Sequence, residues 1–331
     1  MTPLQYVSCN GGVQVYTPPI KVGRVKLSHF IIPNYKVHHC VFGKTTEMGW
    51  SKVSRTLLCC LCLAALLTSV SSADFGDLFQ PYWAADHIVA MDGEPLKLTL
   101  DNTSGCGFES KKKYLFGQTS MQIKLVEGDS AGTVTAFYMS SDGPNHNELD
   151  FEFLGNVTGE PYLVQTNVYV NGTGNREQRH SLWFDPTADF HTYSILWNRY
   201  HIRFLVDGVP MRMFANKEAA GVLYPKDQAM GVYASVWNAD DWATQGGRVK
   251  TNWSHAPFVT AFRGYEIDAC EAEEATGGCA GGGVFWWDAP AMSGLSPHQR
   301  RQLRWVQRRH LVYDYCKDRP RFHEMPGECL S

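Results

Sequence analysis

The sequence lacks an excess of charge of either sign, and this absence excludes one class of partner. Its 331 residues contain 30 Lys and Arg against 33 Asp and Glu, a formal net charge of −3. A protein that binds nucleic acid needs a broad positive field, which this composition does not supply. We therefore expect no nucleic-acid partner. The hydrophobic content of 44% is ordinary for a globular protein and names no function.

No run of apolar residues is long enough to predict a membrane-spanning helix. The most apolar stretch covers residues 57–67, whereas a spanning helix needs roughly 20 apolar residues. Lys52 and Arg55 precede this stretch and the small residues 71–73 follow it, which is the order found in a secretory signal peptide. We therefore predict cleavage after Ala73 and a secreted mature protein without a membrane span.

The predicted signal peptide does not stand at the start of the chain. Met48 would begin it correctly, and the residues before Met48 show no clear periodicity. We predict that residues 1–47 are an upstream translation or gene-model extension and that residues 48–73 are the signal peptide, with a signal anchor as the alternative. The remaining residues are numerous enough to bury the core of one domain.

Helical periodicity is almost absent between residues 75 and 262. This segment consists of short alternating or aromatic runs separated by Gly, Asn, Asp and Pro, a pattern typical of an all-β domain. Asp207-Gly208 predicts a tight hairpin turn, because glycine accepts the positive φ that such a turn requires. The spacing of the runs predicts a β-sandwich or jelly roll over residues 74–262. The clearest strands are residues 121–126, 162–169, 192–197 and 201–206.

Residues 263–331 have a different pattern and are predicted to form a C-terminal extension. Ser296, Pro297 and Gln299 provide the N-cap, the first-turn proline and the capping-box glutamine of a helix. We predict one helix over residues 297–309. Its five arginines are interpreted as a solvated face, with binding to an acidic wall as the minor alternative. They are Arg300, Arg301, Arg304, Arg308 and Arg309.

The five cysteines that follow the predicted signal peptide lack the C-x-x-C spacing that is typical of structural zinc sites, so we predict no metal site and no cofactor. Cys270 lies close to Cys279 in sequence, as Cys316 does to Cys329, and an exported protein permits both pairs to form disulfides. Cys106 is left over. Four sequons, which fit export, begin at Asn102, Asn156, Asn171 and Asn252.

One predicted strand carries three carboxylates on a single face. Residues 146–156 read His-Asn-Glu-Leu-Asp-Phe-Glu-Phe-Leu-Gly-Asn, and successive side chains of a strand point to opposite faces. Glu148, Asp150 and Glu152 therefore share one face, and the apolar residues between them share the core face. Because like charges raise each other's proton affinity, this arrangement requires a functional reason.

Retaining glycoside cleavage provides such a reason, because it needs a carboxylate nucleophile about 5 to 5.5 Å from a carboxylic acid. The Cα atoms of Glu148 and Glu152 would be about 13 Å apart at about 3.3 Å per residue, and side chains leaning inward by roughly 4 Å each would close that gap. Asp150 could then hydrogen-bond the nucleophile. A solvated acidic face and half of a calcium site remain as alternatives, although ten Trp residues favour a groove that stacks on sugar rings.

At this strand the sequence resembles the xyloglucan endotransglucosylase/hydrolases, members of the jelly-roll glycoside hydrolase clan that also holds lichenases and laminarinases. The resemblance implies a concanavalin-like β-jelly-roll sandwich. It also implies a monomer that cleaves the β-1,4-glucan backbone of xyloglucan with retention and religates it to a xyloglucan or oligosaccharide acceptor in the cell wall and apoplast. Besides the carboxylate strand, the resemblance rests on residues 104–108, 165–167, 175–177, 182–186, 237–243 and 313–316.

The resemblance also implies roles for individual residues. Glu148 would be the nucleophile, Glu152 the general acid and then the base, and Asp150 the assisting carboxylate, while Asn156 would carry a glycan. Substrate would be bound by Glu152 and by further residues of the cleft. These are Gln165, Thr166, Asn167, Asn175, Arg176, Glu177, Trp242, Ala243, Gly247 and Arg321.

Two positions of the carboxylate strand depart from the family pattern. Asn147 occupies a position that is often Asp, and Leu149 occupies one that is often Ile. Both are predicted to lie on the core side of the strand, away from the carboxylates. We therefore expect these departures to have little effect.

The loop after the next strand predicts transfer in preference to hydrolysis. In hydrolytic members of the family, extra residues follow the segment that matches residues 165–169, whereas here residues 170–174 lead directly to Asn175. This short form resembles the transferases. The alternatives are an endohydrolase of xyloglucan or mixed-linkage glucan and a non-catalytic wall-glucan-binding protein, because a fold does not imply a function.

Overall fold

A computed structural model of the chain describes residues 75–91, 93–272, 279 and 284–330. The predicted upstream extension and the predicted signal peptide lie outside these residues. The described part begins with the short helix α1, Phe75–Leu78, and its one longer helix is α2, Pro297–Arg309. Short 3₁₀ turns cover Ala85–His87, Glu218–Ala220, Thr244–Gly247, Trp253–His255, Trp286–Asp288, Pro290–Met292, Tyr315–Lys317, Arg319–Arg321 and Gly327–Cys329.

Strands account for most of the remaining regular structure in these residues. They are β1 (Phe79–Trp83), β2 (Ile88–Val89), β3 (Leu96–Leu100), β4 (Cys106–Ser110), β5 (Tyr114–Lys124), β6 (Thr133–Ser140), β7 (Glu148–Leu154), β8 (Leu163–Tyr169), β9 (Gln178–Ser181), β10 (His191–Trp197), β11 (His201–Val206), β12 (Val209–Ala215), β13 (Gly231–Asn238), β14 (Phe258–Glu271) and β15 (Leu311–Asp314).

The strands form two antiparallel sheets. An eight-stranded sheet has the order β1-β4-β13-β6-β7-β8-β9-β15, and a seven-stranded sheet has the order β12-β11-β10-β5-β14-β3-β2. Some adjacent strands in each sheet are consecutive in sequence, and others are joined by long connections that cross between the sheets. This is the topology of a jelly-roll sandwich. The predicted fold class is confirmed, including the helix in the C-terminal part.

The core between the sheets is built around one face of β7. The rings of Phe151 and Phe204 meet edge to face across the sandwich with centroids 5.2 Å apart, and Phe153 meets Tyr193 at 4.6 Å. All four side chains are at most 1% exposed. Edge-to-face pairs of this kind add to the free energy gained by burying apolar area. Since the odd-numbered side chains of β7 fill the core, its even-numbered side chains must point out of the sheet.

The predicted strands correspond to β5, β8, β10 and β11 within one or two residues at most ends. β5 begins earlier than predicted, at Tyr114, and ends at Lys124. The predicted hairpin joins β11 to β12, where Asp207 has a φ of 49° and Gly208 a φ of 73°. Such angles suit a two-residue hairpin because their twist matches that of the strands.

Strand β14 runs across residue 262, where the sequence predicts the end of the jelly-roll domain. Its pairing with β5 shifts register between Arg263 and Glu266, next to Gly264 with a φ of 60°. A bulge of this kind bends a strand without ending its ladder, so the seven-stranded sheet continues to Glu271. Later in the chain, β15 adds a strand to the eight-stranded sheet. The predicted extension is thus part of both sheets.

The helix and the disulfides predicted for the C-terminal part are present. Helix α2 has the predicted bounds, and its capping box is formed: Gln299 N donates to Ser296 Oγ at 3.2 Å, and Ser296 N donates to Gln299 Oε1 at 3.0 Å. Disulfides join Cys270 to Cys279 and Cys316 to Cys329, whereas Cys106 is a buried free thiol.

No helix in the described part of the chain combines the length and the apolar character that crossing a membrane requires. In the same residues, no group of three or more His, Cys, Asp or Glu side chains is arranged to hold a metal ion.

Candidate active site

The central strand β7 places the three predicted carboxylates in the middle of the eight-stranded sheet. Glu148 lies opposite Tyr169 of β8, and Glu152 lies opposite Gln165. On the other side, Asp150 lies opposite Tyr138 of β6. Because the alternate residues Leu149, Phe151 and Phe153 are buried in the core, the carboxylates emerge together on the outer face. The predicted assignment of faces is confirmed.

A cavity of about 830 Å³ lies over this face of the sheet. Its lining of carboxylates, amides and arginines can form directional hydrogen bonds with sugar hydroxyls. Of the predicted site residues it brings together Glu148, Asp150, Glu152, Gln165, Asn167, Glu177, Trp242 and Arg321. It adds Ala136, Tyr138, Tyr169, Arg179, Ser235, Trp237, Tyr313 and Asp318, which were not predicted as site residues.

Glu148 stands at the start of β7 with groups around it that favour its ionised form. Burial raises the pKa of Glu148, but hydrogen bonds from Ser140 and Asp150 and the charge of His146 oppose that rise. His146 Nε2 lies 3.8 Å from Glu148 Oε2, and the imidazole ring stacks on Tyr169 with centroids 5.5 Å apart. These contacts hold a partly buried carboxylate in one orientation and keep it able to act as a nucleophile.

Asp150 is the most enclosed of the three carboxylates, with 6% of its surface exposed. Burial and the charges of Glu148 and Glu152 raise its pKa well above the usual range, and the positive charge of Arg212 opposes them. In the described structure its Oδ1 atom has no hydrogen-bond partner. A neutral Asp150 can donate a hydrogen bond to Glu148, which lowers the pKa of that neighbour.

Arg212 lies behind the carboxylates, in the core between the sheets. It extends from β12 and donates from Nη1 to Thr166 O at 2.7 Å and to Thr166 Oγ1 at 3.0 Å. Its Nη2 atom donates to Arg176 O at 2.6 Å, and its guanidinium lies over the ring of Tyr315. Although burial lowers the pKa of Arg212, a guanidinium stays charged at neutral pH. The active-site strand therefore has a fixed positive charge on its core side.

Glu152 has the environment of a carboxylic acid. Burial is the main cause that raises the pKa of Glu152 to about 7, and a hydrogen bond from Gln165 opposes it. Gln165 Nε2 donates to Glu152 Oε2 at 2.6 Å, while Arg179 Nε donates to Gln165 Oε1 at 2.7 Å. The arginine thereby fixes which end of the Gln165 amide faces the carboxylate. At neutral pH Glu152 is poised between its two protonation states, as proton transfer in both directions requires.

Residues from two distant parts of the chain form one wall of the cavity. Arg321 makes a two-pronged ion pair with Glu177, with distances of 2.7 and 3.1 Å, and donates to Asn175 Oδ1 at 2.8 Å. Tyr313 accepts from Arg321 at 3.0 Å and donates to Asp318 Oδ2 at 2.8 Å. The predicted residues Asn175, Glu177 and Arg321 are therefore brought together, with their polar atoms held in fixed directions.

Arg176 and Asn167 support this wall more than they line it. Arg176 Nε lies 2.6 Å from Glu328 Oε1, and Nη1 donates to the carbonyl oxygens of residues 168, 173 and 174. Asn167 lines the cavity, but its Oδ1 accepts from the backbone of Arg176 at 3.0 Å and of Val168 at 2.9 Å. The geometry gives both residues a role in shaping the loop that follows β8.

Five predicted substrate-binding residues lie outside the cavity lining: Asn175 and Arg176, which are described above, and Thr166, Ala243 and Gly247. The side chain of Thr166 is fully buried on the opposite face of β8, where it accepts from Arg212. Ala243 is buried in a small apolar cluster with Val134, and Gly247 ends a 3₁₀ turn with a φ of 82°. The position of Thr166 corrects the prediction that it contacts substrate, and alternation along β8 explains why. Ala243 and Gly247 adjoin Trp242, which does line the cavity.

The loop after β8 is tied to the start of the carboxylate strand. Gly172 N donates to His146 O at 2.7 Å, and Asn171 N donates to Asn147 Oδ1 at 3.0 Å. A side chain at Gly172 would place its Cβ only 2.3 Å from Pro144 O, so the loop passes too close for any other residue. Asn147 is 1% exposed on the core side of the strand, as predicted, and it anchors this loop.

The predicted glycosylation site follows β7 directly. Asn156 is half-buried and lies outside the carboxylate cavity. Its Nδ2 atom donates to Pro161 O at 3.0 Å. Glycosylation at Asn156 remains a prediction.

Four of the eight cavity residues that were not predicted lie opposite a predicted site residue on a neighbouring strand: Ala136, Tyr138, Tyr169 and Arg179. Arg179 of β9 pairs with Gln165, Tyr138 of β6 pairs with Asp150, and Tyr169 of β8 pairs with Glu148. Outward-facing polar or aromatic positions were visible in the sequence, but the strand register that brings them to the carboxylates was not.

Sequence profiles of two known families match the chain. The profile of the glycosyl hydrolases family 16 matches residues 75–255, and that of the xyloglucan endo-transglycosylase C-terminus matches residues 282–329. The chain is 62% identical over 282 residues to xyloglucan endotransglucosylase protein 6 of Diospyros kaki, which covers 83% of this chain and 94% of that protein.

A relative from Arabidopsis thaliana, xyloglucan endotransglucosylase/hydrolase protein 9, is 61% identical over 277 residues, or 82% of this chain and 95% of that protein. Among solved structures, a β-glucanase of Bacillus licheniformis is 22% identical with a TM-score of 0.48, covering 61% of this chain and 94% of that one.

Proposed function

The chain belongs to the glycosyl hydrolases family 16, and from this premise we propose that it is a xyloglucan endotransglucosylase. The observation that carries the proposal is the unequal environment of the two glutamates. Burial raises the pKa of both glutamates, but at Glu148 hydrogen bonds from Ser140 and Asp150 and the charge of His146 oppose the rise, whereas the pKa of Glu152 reaches about 7. A nucleophile and an acid on one strand are what retaining cleavage needs.

In the first half of the reaction, Glu148 attacks the anomeric carbon of a backbone glucose. The bond to the departing sugar oxygen breaks, and Glu152 transfers its proton to that oxygen, so the leaving chain departs as an alcohol. The products are a glycosyl ester on Glu148 and an ionised Glu152. Asp150, which is buried next to Glu148, donates a hydrogen bond to the nucleophile and retains its own proton through the cycle.

In the second half, Glu152 accepts a proton from the hydroxyl that attacks the glycosyl ester. A sugar hydroxyl gives transfer, and water gives hydrolysis. The wall formed by Glu177, Tyr313 and Arg321 supplies fixed donors and acceptors for sugar hydroxyls, and Trp237 and Trp242 supply flat apolar faces. An acceptor held in these contacts competes with water by proximity.

The donor and acceptor are proposed from the relatives, whose names specify xyloglucan and transfer. The short loop of residues 170–174, anchored by Asn147 and His146, favours the transferase form. In keeping with the predicted signal peptide, the enzyme would act in the plant cell wall on a xyloglucan donor and a xyloglucan or oligosaccharide acceptor, in wall construction and remodelling.

The decisive assay supplies xyloglucan together with a labelled xyloglucan oligosaccharide. We expect the label to enter polymer faster than new reducing ends appear. If reducing ends are released faster than label is incorporated, the enzyme is a hydrolase and the proposed transfer is wrong. A panel with mixed-linkage glucan and cellulose as donors measures the specificity for xyloglucan.

Replacing the nucleophile separates an enzyme from a glucan-binding protein. Glu148→Ala should abolish incorporation of label and release of reducing ends, while the melting temperature stays at or above that of the wild type. The exposed Glu160→Ala serves as the matched control and should keep full activity. Turnover retained by Glu148→Ala would refute the assigned role.

A further inference from the structure

Helix α2 presents a cationic surface that the proposed reaction does not use. Arg301, Arg304 and Arg308 are exposed at spacings of three and four residues, which places them on one face of the helix. At about 1.5 Å per residue they extend over about 10 Å. The exposed Arg300, four residues before Arg304, lies on the same face, and Arg309 is also exposed. We call the three central arginines and Trp305 the arginine face.

Within the described part of the chain, no carboxylate neutralises this surface. Residues 289–313 contain no Asp or Glu, and among the described residues none of the three arginines has a carboxylate within ion-pair distance. The arginines that do form such pairs are Arg176, Arg199 and Arg321.

The like charges on α2 also oppose the stability of the helix. Like charges three or four residues apart repel each other, and positive charges near a helix N-terminus oppose the helix dipole. Helices that are merely solvated usually alternate Glu with Lys or Arg, which avoids both costs. The unbalanced charge therefore points to an anionic surface outside the protein.

An aromatic side chain lies beside these arginines. Trp305 is 39% exposed, although its indole ring is held by Trp183, with centroids 5.2 Å apart, and by His310 at 4.7 Å. An exposed indole fixed in one orientation offers an apolar platform to the face of a sugar ring. Guanidinium groups bind carboxylates through two parallel hydrogen bonds. The combination fits a carbohydrate that carries carboxylate groups.

The arginine face lies apart from the catalytic cavity. Helix α2 packs mainly against β12 at the edge of the seven-stranded sheet and also contacts β15 at the edge of the eight-stranded sheet. The carboxylates stand on β7 in the middle of the eight-stranded sheet, and no residue of α2 lines the cavity. A polymer bound to α2 therefore leaves the cleft open for the glucan. The overall charge of −3 further disfavours partners that need a positive field on every side.

We propose that the arginine face of α2 is a docking surface for an acidic polysaccharide, namely a polymer of uronic acids with a carboxylate on successive rings. Arg301, Arg304 and Arg308 bind the carboxylates, and Trp305 packs on a sugar ring between them. The contact holds the enzyme on an anionic polymer network. It is independent of the glucan reaction and would stand even if the proposed donor were wrong.

The test compares two triple variants of the full chain with the same change in net charge. The first is Arg301→Gln, Arg304→Gln and Arg308→Gln. The matched control is Lys97→Gln, Lys112→Gln and Lys226→Gln, which removes exposed lysines from other parts of the surface. Binding to polygalacturonate is measured across a salt series, with neutral xyloglucan as the uncharged reference. Melting temperature and transfer activity on soluble substrate verify that each variant is folded.

We expect the arginine variant to lose about tenfold or more of its affinity for polygalacturonate and to show a weaker salt dependence, because several charge contacts are removed. The lysine control should bind as the wild type does, and a Trp305→Ala variant should lose affinity without a change in salt dependence. Both triple variants should keep wild-type transfer activity on soluble xyloglucan.

Equal affinity of the arginine variant and the wild type would overturn the proposal. An equal loss in the lysine control would also overturn it, because net charge alone would then explain binding. DNA and anionic phospholipid vesicles are included as other polyanions. Binding of the wild type to either one more tightly than to polygalacturonate, with the arginines required, would assign the surface to a different partner and refute the acidic polysaccharide.

Discussion

The cleft and helix α2 both place like charges side by side, but in opposite environments. Asp150 is almost completely buried between two glutamates, whereas Arg304 stands in solvent between Arg300 and Arg308. In the low dielectric of the cleft, repulsion and burial shift proton affinities, so that one carboxylate stays ionised while others hold protons. On the helix, solvent screens the repulsion and leaves a field that a partner can neutralise. Buried like charges therefore support acid–base chemistry, whereas exposed like charges can bind a partner of opposite charge.

The largest effect should follow removal of the acid in the cleft. Glu152→Gln keeps the shape of the side chain but cannot protonate the departing oxygen, so transfer should fall by about 10²- to 10⁴-fold. The exposed Glu160→Gln is the control and should be neutral. Transfer kinetics with a natural donor provide the measurement. A loss smaller than about tenfold would contradict the assignment of Glu152 as the acid.

Removing the positive charge behind the carboxylates should destabilise the fold. Arg212→Met leaves the carbonyl groups of Thr166 and Arg176 without their buried donor, at a cost of about 2 to 4 kcal/mol in the free energy of unfolding. The exposed Arg248→Met should change that free energy by less than about 0.5 kcal/mol. Urea unfolding of both variants tests the difference, and similar values for the two would show that Arg212 is not a structural counter-charge.

Neutralising the central carboxylate, Asp150, should increase the free energy of unfolding, whereas loss of Arg212 should decrease it. The pKa of Asp150 is raised in the folded state, so above the unfolded-state pKa of about 3.9 the unfolded chain, in which this carboxyl ionises freely, is favoured. Asp150→Asn should therefore increase the free energy of unfolding by about 1 to 2 kcal/mol at pH 7, and the gain should disappear as the pH falls towards about 4.

Thermal unfolding across this pH range distinguishes that mechanism from a packing effect. The control Asp241→Asn, at an exposed position, should give no gain at either pH. A gain for Asp150→Asn that stays constant with pH would show that altered packing, and not the charge, is responsible.

Arg179 donates to Gln165, which in turn donates to Glu152, and we call these two hydrogen bonds the relay. The relay should influence the pH dependence of the reaction. Glu152 must be protonated to act as the acid, and its pKa is about 7, so kcat/KM should fall as the pH rises through about 7. Gln165→Met removes a donor that favours the ionised form, which raises this pKa and moves the alkaline limb to higher pH. The exposed Gln307→Met leaves the limb in place. A shift of the limb to lower pH in Gln165→Met would contradict the relay.

The smallest effect should appear on the helix. Arg304→Glu replaces two repulsions with attractive pairs to Arg300 and Arg308 and should stabilise the fold by about 0.5 to 1 kcal/mol at low salt. The gain should be largely lost at about 1 M salt, where charges on the surface are screened. Arg304→Gln should give an intermediate value in urea unfolding. No gain at low salt would show that the arginine face carries no net repulsion.

Local pattern was sufficient to predict the parts of the molecule that depend on neighbours in sequence. Alternation assigned the faces of β7, because the side-chain period of a strand does not depend on its partners. The capping residues Ser296 and Gln299 fixed the start of α2, because their hydrogen bonds connect residues three apart. The carboxylates of the site were found for the same reason.

Partners that come from distant strands could not be predicted in this way. Arg179 reaches Gln165 only through the register of β8 with β9, and Arg212 approaches from the other sheet. The family motif of residues 165–167 is contiguous and so predicts that Thr166 lines the cleft with its neighbours. Alternation along β8 instead points Thr166 to the face opposite Gln165 and Asn167. Strand register and sheet packing are long-range properties, and no local pattern specifies them.

The wall of the cleft that includes Tyr313 and Arg321 has a consequence for biosynthesis. Synthesis proceeds from the N-terminus, so the strand with the carboxylates leaves the ribosome long before β15 and before the cysteines 316 and 329 that close the disulfide beside it. A nascent chain can therefore hold a complete nucleophile and acid while its sugar-holding wall is still untranslated. The order of translation postpones a functional glucan site until the wall has emerged and docked on Glu177.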